Sequence, residues 1–260
     1  MRDAAATLVL LSLGAIAGPA AADLVYNRSF EVDHVWIVVS PGAPQRAAFE
    51  QLGLKAAPGV NQHAGQGTAS ITFEFKNAFL ELLWVDAAVP VAPGNEAAVR
   101  KFTRRQRWAT SGGCPFGIAL HRTASAADSL PFESWPLHQP WMPPGVSYAM
   151  LTPRADSLSP ALWVVPRSSA VKDLDDPAAT PVDSIRATAL RQPGYMRKLT
   201  RVRLVCPPGY QPTDAMSRLA REGVFELRQE RGWLLILTFN GGVRRRTRDL
   251  RPELPVLVRY

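Results

Sequence analysis

Asp33-His34-Val35-Trp36-Ile37-Val38-Val39 and Phe79-Leu80-Glu81-Leu82-Leu83-Trp84-Val85-Asp86 are the two runs whose reading decides the fold. Both are rich in β-branched, aromatic and leucine side chains, and the first stops at the turn formers Pro41-Gly42, so both read as strands. Between them, Pro44 to Leu52 repeats its apolar residues at helical spacing and ends at Gly53. Leu54-Lys55-Ala56 adds a short strand directly after that helix. A loop through Pro58 and Gly59 leads to another strand, Ala69 to Phe75, which turns at Lys76-Asn77 into Phe79 to Val85. The order is β-α-β-β-β.

Side chains alternate faces along a strand, so His34 shares a face with Trp36 and Val38, and Glu81 with Phe79, Leu83 and Val85. A carboxylate among apolar neighbours is costly to bury unless it is paired, hydrogen-bonded or bound to metal. Imidazole and carboxylate are ligand types that suit Zn, Fe, Mn or Ni. The plainer reading of these two residues leaves Glu81 facing water and His34 capping its strand.

Together with His63-Ala64-Gly65-Gln66-Gly67-Thr68, these runs resemble the glyoxalase-like domain of the vicinal oxygen chelate superfamily. The resemblance is densest over residues 33–86, looser to about Pro166 and weak beyond. It implies an α+β fold of paired βαβββ modules forming a cupped, curved mixed sheet. Metal-using members draw ligands from the first and last strands of a module, which implies His34 and Glu81 here. His63, in its Gly-rich loop, matches a pocket histidine of the family and is the preferred third ligand, with His121 and His138 as alternatives. The resemblance departs from a two-module metal site further on. The positions matching His34 and Glu81 in the second module fall near Pro115 or Phe116 and in Leu162-Trp163-Val164-Val165, where no donor stands.

The chain begins as an export signal would. Arg2, an apolar run from Ala4 to Gly18 and small residues to Ala22 give the three-part pattern with cleavage near Ala22, too short for a good membrane span. That predicts a periplasmic or secreted protein with no stable membrane span after cleavage. Formal net charge is +8, gathered at Arg100 to Arg107, Arg197 to Arg203 and Arg244 to Arg248. No nucleic-acid-binding motif accompanies these clusters, so nucleic acid is excluded as the partner and anionic surfaces or substrates are preferred. Cys114 and Cys206, both followed by proline, leave a disulfide and two buried thiols equally open.

After a signal at 1–22, a glyoxalase-like domain is expected over 23–166, a linker over 167–197 and a third βαβββ-like module over 198–260. The second module starts at Cys114-Pro115-Phe116, has a degenerate helix over Thr123 to Leu130, and finishes with strands Val146 to Leu151 and Ala161 to Val165. The linker is rich in Asp and Pro, with one helix from Asp183 to Leu190. Arg104, Arg107 and Trp108, on a basic helix from Glu96, are placed to close over a ligand or to serve as a surface connector. His138 stands among Trp135, Trp141 and Met142, lining an aromatic cleft or marking its rim; His121, at a strand end, reads as exposed. Trp36, Phe79, Trp141, His138 and Arg107 are the candidate substrate contacts. No Gly-x-Ser-x-Gly elbow, phosphate-binding loop or His-Glu-x-x-His is present. The expectation is a protein acting on a small oxygenated molecule, with a divalent metal as a candidate cofactor and a homodimer left open. A metal-free binding protein and an envelope interaction module are the alternatives.

Overall fold

The computed structural model describes residues 28–124, 126–153, 159–180 and 183–260. The export signal at 1–22 lies outside the described residues. β1 (Phe30–Val38) is the middle of an eight-stranded sheet. It pairs in parallel with β4 (Phe79–Val85) on one side and antiparallel with β5 (Phe116–Arg122) on the other. Its last six residues are all buried, which is why the run reads as continuous rather than alternating: both faces of this strand are covered.

α1 (Arg46–Glu50) buries Phe49, and β2 (Asn61–His63) and β3 (Thr68–Glu74) complete the first module. The short strand therefore forms at 61–63 and not at 54–56. It pairs with β3 so that His63 stands opposite Thr68, placing the histidine at the end of a strand. The second module is β5, β6 (Trp135–Leu137), β7 (Tyr148–Met150) and β8 (Ala161–Val164). No helix connects β5 to β6 among the described residues. Strand order is β2-β3-β4-β1-β5-β8-β7-β6, so the two modules meet at β1 and β5, and each places its first strand parallel to its last.

Residues 198–260 repeat the order of elements but pair them differently. β9 (Leu199–Cys206) runs through α5 (Asp214–Arg221) into β10 (Glu226–Gln229), which lies parallel to β9 on the sheet edge. Thr213 caps α5 through the Met216 N–H, and the helix buries Ala215, Met216 and Leu219. β11 (Leu234–Phe239), β12 (Thr247–Asp249) and β13 (Val256–Arg259) complete a five-stranded sheet. In the first module the parallel partner of the first strand is the last; here it is the strand after the helix.

The two sheets share one core. Val35, Ile37, Leu80 and Leu82 point from the back of the large sheet into the cluster that holds Val202, Leu204, Leu235 and Leu237. Phe75 meets Phe239 with ring centroids 4.7 Å apart. The other, concave face of the large sheet is left for a cavity. Over it lie α2 (Glu96–Gln106), followed by α3 (Trp108–Ser111), and the segment 167–197.

That segment, read as a linker from its Asp and Pro content, runs as a strap. α4 (Asp183–Leu190) forms where expected and packs on β3. Asp173 and Asp175 pair with Lys198, and Asp175 also with Lys76. Gln192, fully buried, exchanges two hydrogen bonds with the backbone of Lys55: its amide accepts from the N–H at 2.9 Å and donates to the carbonyl at 2.7 Å. Gln192→Ala is expected to cost about 2 kcal/mol, since a buried amide that replaces a ladder partner loses both bonds at once. A midpoint in urea unchanged from wild type would show the strap to be held elsewhere.

Cys114 and Cys206 are buried free thiols, which settles the disulfide question. Burial pushes the Cys206 thiol up to about 12, so it stays protonated.

Candidate active site

The concave face holds a cavity of about 1190 Å³, somewhat above the usual range for ligand sites. Register explains who faces it. His34 lies opposite Phe79, and Trp36 opposite Glu81, across β1 and β4; Glu74 lies opposite Phe79, and Thr72 opposite Glu81, across β3 and β4. Residues opposite one another in a ladder share a face. His34 and Glu81 therefore line the same cavity, as the alternation argument requires.

The wall is aromatic. His34 stacks on Phe79 at 4.2 Å and 14°, and its edge meets Trp163 at 5.8 Å. Trp163 lies between Trp36 (5.7 Å, 23°) and Tyr148 (6.2 Å, 3°). The indole nitrogens of Trp36 and Trp163 are buried with no acceptor among the described residues. Folded proteins leave few such donors orphaned, and both of these belong to cavity-lining side chains. Burial and the nearby Glu81 carboxylate push the Tyr148 phenol up to about 12, so it remains a donor.

Behind His34 sits a residue that sequence reasoning treated only as the start of a strand. Asp33 is 1 % exposed, and its Oδ1 lies 2.7 Å from His34 Nδ1. Strict alternation would send it away from its neighbour. However, the β1–β5 ladder shifts register between Val32 and His34, so Asp33 occupies a bulge that turns its carboxylate toward the ring. Oδ2 accepts from the Val171 N–H of the strap at 2.7 Å and lies 3.3 Å from His121 Nδ1, an ion-pair distance off the line of a hydrogen bond. His121 Nε2 lies 3.5 Å from Glu31.

His121 is thus not exposed: its side chain is 13 % accessible and sits between two carboxylates. Burial alone would lower its pKa, but Asp33 and Glu31 outweigh that and raise it to about 9. The two imidazoles and the Val171 N–H in turn hold the Asp33 carboxyl well below the usual range against its burial. The Nδ1–H of His34 donates to Asp33, which leaves Nε2 as the basic nitrogen on the cavity side.

His63 and Glu81 form the second polar cluster, with Nε2 to Oε1 3.7 Å. His63 Nδ1 lies 3.0 Å from Thr68 Oγ1, which also accepts from Gln66, and Gln66 in turn accepts from the Trp141 indole. Directing the Thr68 hydroxyl at Nδ1 satisfies every member of this chain and puts the imidazole proton on Nε2, facing Glu81. Burial pulls the His63 pKa down despite Glu81, so the ring is neutral near pH 7. Burial also pushes the Glu74 carboxyl up.

The three donors expected for a metal do not gather into one set. His63 approaches Glu81, whereas His34 is engaged by Asp33. Among the described residues no group of three His, Cys, Asp or Glu side chains could hold a metal ion. The residues present therefore do not fit a resident ion with three protein ligands.

Of the expected substrate contacts, Trp36, Phe79 and Trp141 line the cavity, the last with its ring 5.1 Å from His63. His138 and Arg107 do not. His138 is exposed and directs Nδ1 to the Val146 carbonyl at 2.8 Å. Arg107 falls just past the end of α2, while Ala98, Lys101, Phe102 and Arg105, spaced three and four apart, form the helix face over the cavity. Arg105 is buried, donates to the carbonyls of Cys114 and Ser159, and stands 5.6 Å from the Trp36 ring.

Residues 32–159 match the family described as Glyoxalase-like domain. Among solved structures, a hypothetical protein from Staphylococcus aureus aligns over 88 % of this chain and 98 % of its own, at 12 % identity and a TM-score of 0.44. No curated protein matches the sequence. The matched segment begins within β1 and ends just before β8, so it covers the first module and all but the last strand of the second, and over that span the chain matches the glyoxalase-like family.

Proposed function

We propose that this protein binds a small, flat, oxygen-bearing molecule between the aromatic walls of the cup, and that His34 exchanges a proton with it without a resident metal. The observation that carries this reading is the position of one imidazole. His34 is sandwiched in the cavity wall with Nδ1 fixed on a buried carboxylate 2.7 Å away, so its tautomer and ring plane are set before any ligand arrives. Tyr148, kept protonated, and the neutral His63 supply donors for a developing oxyanion. The N-terminal pattern adds that the protein acts outside the cytoplasm; N-terminal sequencing of the secreted or periplasmic form tests this, with a start just after Ala22 expected.

The test of the chemistry is carbon-bound hydrogen exchange. A panel of aromatic and conjugated carbonyl compounds is screened by quenching of the cavity tryptophans. Ligands that bind are then incubated in deuterium oxide and followed by proton NMR. Exchange at an acidic C–H is expected in wild type and about a hundredfold slower in His34→Gln, the scale of a lost general base. Binding without exchange in either form would leave a sequestering protein. Undiminished exchange after exhaustive chelation separates this reading from a metal-dependent one; exchange abolished by chelation would overturn it.

A further inference from the structure

The positive charge of the chain is segregated. Residues 198–260 hold thirteen Lys and Arg against six Asp and Glu, a surplus of seven in a chain of net charge +8. The remainder is nearly balanced. Within the five-stranded sheet, Val202, Leu237 and Val258 turn inward to the core, so their neighbours turn outward. Register sets Arg201 opposite Thr238 and Thr238 opposite Arg259, so two guanidinium groups flank one threonine across three strands.

This row stands at the end of the sheet where β11 leads into the loop 240–246. Arg246 and Tyr260 tie the far end of that loop to β13 through paired backbone hydrogen bonds, 2.9 and 3.0 Å. Asn240 and Gly241 both adopt positive φ, which turns the chain sharply outward. The loop presents Val243 at 70 % exposure, immediately followed by Arg244-Arg245-Arg246. Arg244 lies over Tyr195 at 4.0 Å. Arg245, Arg246 and Arg259 have no acidic partner among the described residues, while the acids nearby are engaged: Glu226 by Arg201 and Arg203, Asp249 by Arg251.

Unpaired like charges in one patch repel unless an anionic surface compensates them. An apolar tip beside those charges favours lipid: the valine enters the headgroup boundary as the arginines meet phosphates. Single-stranded nucleic acid would call for exposed rings to stack on, and no exposed large apolar residue among those described is aromatic. We propose that the C-terminal module docks on an anionic lipid surface through loop 240–246 and the neighbouring Arg259.

Co-sedimentation of the full chain with phosphatidylcholine vesicles, with and without phosphatidylglycerol, tests this. Binding is expected only to the anionic vesicles, weakening as salt rises. Arg245→Glu with Arg246→Glu should reduce the bound fraction about tenfold or more, given about 1 kcal/mol for each basic residue at the surface. Val243→Asp should reduce it even at low salt. A control carrying Arg100→Glu and Arg186→Glu, both exposed elsewhere on the chain, should bind within about twofold of wild type for the same change in net charge. An equal loss in the control, binding that persists in the loop variants, or tighter binding to an RNA duplex than to the vesicles would each overturn the proposal.

Discussion

Asp33→Asn is expected to destabilise the protein by about 3–5 kcal/mol, the range for removing one partner of a buried ion pair. For a chain of this size that is a fall of roughly 10 °C in melting temperature. The amide keeps one oxygen for the three groups that Asp33 now serves, so its NH₂ must face either His34 Nδ1 or the Val171 N–H together with His121. The effect has a signature in pH. The folded-state pKa of His121, about 9, stands above its ordinary value of 6.5. Its contribution to stability is therefore fully present below pH 6.5 and lost as pH rises toward 9, on the order of 3 kcal/mol. The Asp33 carboxyl is shifted the other way, so its contribution holds until pH falls through the carboxylate range. Wild type should be most stable between those limits. In Asp33→Asn the alkaline loss should nearly vanish, leaving only what Glu31 supplies. Urea denaturation across pH 5 to 10 reads both curves; parallel curves for the two proteins would show that His121 does not depend on Asp33.

The contrast between His34 and Asp33 shows what was legible in the chain. Strands β1 and β4 declare themselves by composition, and period-two alternation suffices to put His34, Trp36, Phe79 and Glu81 on their respective faces. Their meeting on one surface needs only that the two strands pair in register, which the βαβββ order supplies. Asp33 escaped because its role depends on a bulge, and a bulge leaves no mark in a single apolar run. His121 read as exposed because it stands beside Arg122 at a strand end. Its partner Glu31 is set by the β1–β5 register, ninety positions away in sequence. The strap is the same lesson in reverse. Asp173 and Asp175 resemble linker residues until Lys76 and Lys198 are seen opposite them. On α2 the basic cluster points to Arg107, which falls past the helix end, whereas the face over the cavity is made by Ala98, Lys101, Phe102 and Arg105. In the C-terminal module the order of elements was readable, while the choice of neighbours, β10 parallel to β9 and β13 parallel to β11, is a long-range pairing that no local pattern marks.

Gly117→Ala should cost about 3 kcal/mol, a large penalty for one methyl group. Gly117 has no unusual backbone torsion, so the requirement is for space alone. A Cβ there would stand 2.2 Å from Trp36 Cε2 and 2.4 Å from its Nε1, far inside ordinary contact. The indole lies against this glycine because the β1–β5 register sets the two residues opposite one another. Nor can it swing aside: Trp163 stacks at 5.7 Å, Phe102 meets its edge at 5.9 Å and the Arg105 guanidinium stands at 5.6 Å. Displacing Trp36 therefore disturbs the wall that His34 and Trp163 share, and the emission of the cavity tryptophans should change along with the melting temperature. Trp36→Leu in the same background should restore part of the loss, with a favourable coupling of about 1–2 kcal/mol, because the smaller side chain leaves room for the methyl. Additive losses in the double variant would mean that the two residues do not share this space. A wild-type melting temperature for Gly117→Ala would mean that the indole is free to move, and with it the rigid wall on which the placement of His34 rests.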